Sequence, residues 1–177
     1  MRVFALLLVA LTLPAFAQDP ASVGVRVHGV LPMGELNDLT NRQIGVGAAA
    51  FVAIPLGGGL VLRPLVGFQF IPRGDTLALA GTKTSVASID FMVDGLWYPN
   101  EDLERGGYLV GGIGGQQWHV SSTGDSPSSI NATRLGLNGG LGYQISPRFS
   151  VEVRGFWSPI QNNLTATGLT LGATMRF

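Results

Sequence analysis

From Leu169 to Phe177 apolar and polar side chains alternate without a break. Leu169, Leu171, Ala173, Met175 and Phe177 fall on one parity, and Thr170, Gly172, Thr174 and Arg176 on the other. A period of two puts successive side chains on opposite faces of a strand, so one face of the sheet is apolar and the other polar. The pattern recurs along the chain. Phe149, Val151, Val153 and Trp157 oppose Ser150, Glu152 and Arg154, while Leu135, Leu137, Leu141, Tyr143 and Ile145 oppose Arg134, Asn138 and Gln144. Ala87, Ile89, Phe91, Val93 and Trp97 oppose Ser88, Asp90, Met92 and Asp94. Leu60, Leu62, Val66, Phe68 and Phe70 oppose Arg63 and Gln69, and Val23, Val25 and Val27 oppose Arg26 and His28. Two further segments are less sharp: 44–54 is nearly all small or apolar, and glycine blurs 107–118. Together they predict an all-β chain of eight strands.

The charges indicate what surrounds this sheet. Arg26, Arg63, Asp90, Asp94, Arg134, Glu152, Arg154 and Arg176 all share the polar parity. A basic residue facing lipid at mid-bilayer costs about 2–4 kcal/mol, so a membrane β-barrel must segregate its charges in this way. The competing fold is a soluble β-sandwich or lipocalin-like barrel, with the apolar face turned inward. Against it, the polar face is rich in glycine and threonine rather than lysine and glutamate, as suits a cramped lumen. All three tryptophans fall at predicted strand ends, where interfacial girdles sit. The composition, 46% hydrophobic and only 12% charged, is also unusually apolar for a soluble secreted domain.

A helical crossing does not fit. The uncharged stretch Ile44 to Leu62 contains Pro55 and Gly57-Gly58-Gly59, and glycine and proline cost a helix about 1 and 3 kcal/mol. Two strands joined by a turn at 55–58 account for the same residues. Strands in lipid satisfy their backbone groups only when the sheet closes on itself. The expected fold is therefore an eight-stranded antiparallel up-and-down transmembrane β-barrel.

The N-terminus has the anatomy of an export signal: Arg2, the apolar run Val3 to Leu13, and small residues at Ala15 and Ala17. The run is too short to span a bilayer as a helix, which needs roughly 20 residues. Residues 1–17 are expected to be removed, leaving a barrel domain of 18–177 that begins at Gln18. Loss of Arg2 leaves ten basic against eleven acidic residues, a formal charge of −1, with no basic surplus for nucleic acid. The absence of cysteine excludes disulfides and thiolate metal sites. His28 and His119 lie on different strands, so no histidine metal site is expected. No cofactor motif is present.

Connection lengths suggest the orientation. Longer connections are read at 31–42, 71–83, 119–131 and 158–164, alternating with shorter ones at 55–58, 98–106 and 146–148. Long extracellular loops and short periplasmic turns are the rule for outer-membrane barrels, so both termini are expected on the periplasmic side. The expected aromatic girdle has Trp97, Tyr108, Tyr143, Phe149 and Phe177 on one rim and Phe70, Trp118 and Trp157 on the other.

Several stretches carry a family likeness: Val23-Gly24-Val25-Arg26, Tyr108-Leu109-Val110-Gly111-Gly112-Ile113-Gly114, Leu137-Asn138-Gly139-Gly140-Leu141-Gly142-Tyr143, and Leu171 to Phe177. With them, residues 18–177 resemble the small OmpA/OmpX-like outer-membrane β-barrels. The resemblance implies a monomeric envelope barrel in contact with outer-membrane lipid and lipopolysaccharide. It also implies insertion by the barrel-assembly machinery, which reads the final strand ending at Phe177. Cell-wall anchoring is not carried over, since no peptidoglycan-binding domain follows in this sequence.

An eight-stranded lumen is only wide enough for its own side chains. Arg26, Arg63, Asp90, Asp94, Glu152 and Arg154 are therefore expected to form a buried ion-pair network, with Arg63 meeting Asp90 diagonally across the third and fourth strands. One catalytic candidate stands apart, His119-Val120-Ser121, expected at the base of a polar loop. It resembles the His-x-Ser element of lipid A deacylase barrels, where histidine activates a serine nucleophile and a carboxylate orients the histidine. Here Ser122 follows in place of that family's asparagine, and no acidic residue lies between Asp125 and Glu152. A non-enzymatic envelope barrel with a structural or surface-interaction role is the leading expectation, and a lipid A-modifying enzyme using His119 and Ser121 the alternative.

Overall fold

The two-residue period carries through to the backbone. The computed structural model describes residues 20–75, 82–124, 127–161 and 164–177. The expected signal segment 1–17 lies outside them, as do Asp125 and Asn163. Eight strands follow in order: β1 (Ser22–Met33), β2 (Gly45–Gly57), β3 (Leu60–Asp75), β4 (Lys83–Trp97), β5 (Gly106–Thr123), β6 (Ser128–Ser146), β7 (Phe149–Gln161) and β8 (Leu164–Arg176). Each pairs antiparallel with its neighbours in sequence, and β8 pairs with β1 to close the barrel. The uncharged stretch proposed above as two strands is β2 and β3, but the turn expected at 55–58 falls later, because β2 runs to Gly57; the chain turns at Gly58-Gly59 with φ of 58° and 72°, which glycine adopts without strain.

The barrel is inverted relative to a water-soluble one. Val23, Val25 and Val27 on β1, Ile89, Phe91 and Val93 on β4, Leu169, Leu171 and Met175 on β8, and their counterparts elsewhere are exposed on the outside. Arg26, Arg63, Asp90, Asp94, Glu152 and Arg154 are buried inside. Arg176 is half-buried, and Arg134 shares the inward parity of Ala132 and Gly136 while its side chain remains exposed. Each exposed branched or aromatic side chain forgoes roughly 1.5–3 kcal/mol of burial in water. An outer face built of them is stable only against hydrocarbon.

Large side chains fit the lumen because glycines stand opposite them. Tyr108 pairs with Gly142, Phe51 with Gly24 and Phe156 with Gly168. A Cβ added at any of the three glycines would collide with the facing ring.

Three expectations about the connections are revised. The segments read as loops at 119–131 and 158–164 are mostly strand, with β5 reaching Thr123, β6 starting at Ser128, β7 reaching Gln161 and β8 starting at Leu164. A strand needs about 9–11 residues to cross a bilayer, whereas β5 and β6 have 18 and 19. Their far ends project past the apolar band, so the ladder continues through His119–Asn131 and Ser121–Ser129 while the outward face turns polar. The third revision is a helix inside the connection read at 31–42: α1 (Gly34–Thr40), which ends at Asn41 in the left-handed conformation. Leu36 from α1 is 0% exposed and inserts into an apolar cluster with Val30, Ile71, Val86, Trp118 and Ile160. Glu35 accepts a hydrogen bond from the Thr165 backbone N–H at 2.5 Å, tying the helix to β8. The helix therefore stoppers one end of the barrel.

Asp38 and Ser128 are exposed at this stoppered end, and Asn100 is exposed at the opposite end. Single cysteines at Asp38 and Ser128 should react with an impermeant maleimide on intact cells, and one at Asn100 should react only after the envelope is permeabilised. Equal labelling at all three would reverse or abolish the assigned orientation.

Candidate functional site

The lumen is layered. Beneath the apolar stopper lies a polar chamber, then a compact ionic cluster, then a second apolar cluster of Phe51, Ala53, Val61, Leu96, Tyr98, Tyr108 and Val110. The strands generate the layers because each contributes inward residues at successive heights, and the ladder aligns those heights. Arg63 on β3 stands opposite Asp94 on β4, and Glu152 and Arg154 are successive inward residues of β7.

In the ionic cluster Arg154 Nη1 donates to Asp94 Oδ2 at 2.6 Å, while its Nε and Nη2 donate to Glu152 Oε2 at 2.9 and 2.5 Å. Arg63 bridges the same two carboxylates, donating to Glu152 Oε1 at 2.8 Å and Asp94 Oδ2 at 3.2 Å. Arg26 Nε lies 3.4 Å from Glu152 Oε2, and its Nη2 donates to Thr170 Oγ1 at 2.7 Å. Tyr108 OH donates to Glu152 Oε1 at 2.7 Å, and Asn138 Nδ2 to Asp94 Oδ1 at 3.1 Å. Asp94 and Glu152 are 0% and 1% exposed. Charges this deep persist when they are paired and hydrogen-bonded; the cluster pairs every one of these side chains, with Arg26 Nε and Arg63 Nε buried without a hydrogen-bond partner. The Arg63 guanidinium also sits over the Phe51 ring, 5.1 Å from its centroid.

Five of the six residues expected in the network thus meet. Asp90 does not. It pairs with Gly67 in the β3–β4 ladder, four residues along from Arg63, whose partner is Asp94. The Asp90 oxygens instead accept from Gln69 Nε2 at 2.7 Å, Ser88 Oγ at 2.9 Å and Gln116 Nε2 at 3.0 Å.

Two girdle assignments are corrected. Tyr108 and Trp118 point into the lumen, at 3% and 1% exposure. Each has a polar tip that must be satisfied when buried. Tyr108 reaches Glu152 and Ser150, and Trp118 Nε1 donates to Ser158 Oγ at 3.0 Å. Trp97, Tyr143, Phe149, Trp157 and Phe177 are exposed on the outside, all but Trp157 near the end opposite α1. Sequence reading missed Tyr98. Its ring packs at 4.7 Å on Tyr108, and its hydroxyl donates to Gln144 Oε1 at 3.2 Å. Arg176 Nη2 donates to that hydroxyl at 3.3 Å, to the Leu103 carbonyl at 3.3 Å and to Gln144 Oε1. Burial raises the Tyr98 pKa and the Arg176 charge opposes the rise.

His119 and Ser121 lie within β5 rather than in a loop, on its outward face above the apolar band. His119 Nδ1 is 2.7 Å from Asn131 Oδ1 across the β5–β6 ladder. Among the described residues no carboxylate contacts His119, and the imidazole and Ser121 share no hydrogen bond.

No protein-family model matches the chain, and no curated protein sequence does. Solved structures do match in fold. The attachment invasion locus protein Ail of Yersinia pestis superposes with a TM-score of 0.60 at 12% identity, covering 89% of this chain and 97% of Ail. The N-terminal β-barrel domain of Pseudomonas aeruginosa OprF gives a TM-score of 0.61 at 12% identity, covering 88% and 97%. Neisserial surface protein A gives 0.58 at 15% identity, covering 90% of this chain and all of that one, 100%. The shared fold is the closed eight-stranded up-and-down barrel.

Removing one partner of a buried ion pair costs about 3–5 kcal/mol because the other charge is left uncompensated. Arg63→Ala and Asp94→Ala should each lower the unfolding free energy of the barrel in detergent by about that much, read as an earlier unfolding midpoint. The double variant should lose less than the sum of the two. Strict additivity would mean that the two side chains do not interact.

Proposed function

We propose that this chain is a non-enzymatic barrel of the bacterial outer membrane that acts through its shape and surface rather than through a pore. The observation that carries this reading is the filled lumen, stoppered by α1 and Leu36 at one end, locked by the Arg63–Asp94–Glu152–Arg154 cluster in the middle and closed by the Tyr98–Tyr108 cluster at the other. A solute would have to break buried charge pairs to pass. The apolar outer band gives the barrel its lipid surroundings, and the resemblance to OmpA/OmpX-like proteins makes that membrane the outer one. Lipopolysaccharide is then the neighbour of the projecting β5–β6 hairpin, and the barrel-assembly machinery the partner that recognises the strand ending at Phe177. An envelope structural or surface-interaction role follows, carried by the hairpins that rise above the apolar band.

A second reading keeps one specific observation in its favour. His119 and Ser121 face outward where the apolar band gives way to polar residues, and Asn131 is positioned to orient the imidazole as a carboxylate would. Against it stands the uncoupled pair itself, since a serine nucleophile needs a base within hydrogen-bond reach.

Mass spectrometry of lipid A from cells expressing the wild-type chain, the His119→Ala variant or neither separates the two readings. Identical lipid A in all three is expected of the non-enzymatic barrel. Loss of an acyl chain with the wild type, abolished by His119→Ala, would replace this reading with the enzymatic one.

A further inference from the structure

At the end of the barrel opposite α1, all three turns converge on one side chain. Arg176 is the last inward residue of β8 and stands opposite Gly24 of β1 across the closing seam. Its Nη2 shares its hydrogens among three oxygens: the Tyr98 hydroxyl at 3.3 Å, the Leu103 carbonyl at 3.3 Å and Gln144 Oε1. Leu103 lies in the turn between β4 and β5. Gln144 is bound to the turn between β6 and β7, because its Nε2 donates to the carbonyls of Ser146 at 2.5 Å and Phe149 at 3.3 Å. Tyr98 is bound to the turn between β2 and β3, its backbone N–H donating to the Gly59 carbonyl at 2.8 Å.

The acceptors are assembled without β8. The Gln144 amide is oriented by carbonyls two and five residues away in its own hairpin, which leaves its oxygen facing the lumen mouth. Turning that amide over would set its oxygen against two carbonyls and its nitrogen against a guanidinium. The Tyr98 hydroxyl donates to the same oxygen at 3.2 Å, and both side chains are 1% exposed. Stacking of Tyr98 on Tyr108, whose hydroxyl reaches Glu152, joins this set to the ionic layer above it. The cation that completes the set comes from the last strand, 78, 73 and 32 residues after Tyr98, Leu103 and Gln144. Contacts over such separations form only after the chain entropy of closure has been given up, so they form late.

We propose that Arg176 is a closure latch. It engages its three oxygens once β8 has paired with β1, and it keeps the seam shut by slowing its opening rather than by speeding its formation. A side chain with that timing changes the unfolding rate and leaves the folding rate alone, because its contacts are absent from the folding transition state. The position suits the task. Arg176 sits on the seam itself, and its partners lie on the hairpins across the lumen, so β8 cannot peel from β1 without first withdrawing the guanidinium from all three turns. The inference goes beyond the proposed function and does not depend on it, since any sheet that must stay closed in lipid needs a seam that opens slowly.

The test uses the whole barrel refolded in detergent, with folding and unfolding in guanidinium followed by tryptophan fluorescence. Arg176→Met should unfold at least about tenfold faster than wild type, the scale of one lost charge-assisted hydrogen bond, while its folding rate stays within about twofold. Gln144→Met should act in the same direction, and the two changes together should speed unfolding by less than the product of the single effects. Arg148→Met, which removes an exposed cation from the same end of the barrel, should leave both rates unchanged. An unaltered unfolding rate in Arg176→Met, a folding rate that falls as far as the unfolding rate rises, fully multiplicative effects in the pair, or an equal effect of Arg148→Met overturns the proposal. Should Arg176→Met not fold, Gln144→Met carries the same comparison, because it leaves the seam strand untouched. Faster unfolding at the wild-type folding rate then upholds the latch, and any other result overturns it.

Discussion

The closing seam between β1 and β8 is what the rest of the structure depends on. The two strands pair from Gly24–Arg176 to Met33–Thr167, and the Phe177 N–H donates to the Val23 carbonyl at 2.9 Å. Were the seam open, two strands would present unpaired N–H and C=O groups to hydrocarbon, each at a cost of several kcal/mol. Closure removes both edges at once. It also divides every strand into an outward and an inward parity, and everything else about the chain follows from that division.

The inward parity has a problem that the outward one does not. Eight strands enclose a lumen that side chains fill, and those side chains include three arginines and three carboxylates that cannot reach bulk water. The solution is stratified. Arg63, Arg154 and Arg26 share Asp94 and Glu152 in a single layer, Asp90, held by amides in the layer above, brings the formal charges of these six residues to balance, and apolar clusters cap both ends. Glycines on the facing strands make room for the bulkiest members, as Gly142 does for Tyr108. The same layering that stabilises the lumen leaves no path through it, so structure and proposed role are two aspects of one packing solution.

How much of this was legible in the residues depended on contrast between parities. Strands such as β7 and β8, with Val, Leu and Phe against Glu, Arg and Thr, declare both their existence and their facing. β5 declares only its existence, because Leu109 and Ile113 on one parity meet Tyr108, Val110 and Trp118 on the other. The two aromatics misassigned to the lipid girdle both come from this strand. Strand ends are concealed for a related reason. Above the apolar band both faces of β5 and β6 are polar, and a ladder of Ser, His and Asn reads as loop although its backbone bonds continue. The helix α1 is hidden because its seven residues carry too little periodicity to register; of them Leu36 and Thr40 are buried. Charge is visible in a sequence and suggests an arginine for Asp90, whereas the register that pairs Arg63 with Asp94 and the amides that claim Asp90 are not visible there.

That the apolar face meets lipid is the central claim, and the folded barrel can be asked directly. Outer membranes from cells producing the chain, solubilised in SDS without heating and run beside a boiled sample, report whether a closed barrel is present in that membrane. A barrel with this hydrogen-bonded seam stays folded in cold SDS and migrates differently from the boiled chain, and it should be found in the outer-membrane fraction. Recovery as a soluble periplasmic protein, with the same mobility before and after boiling, would contradict it.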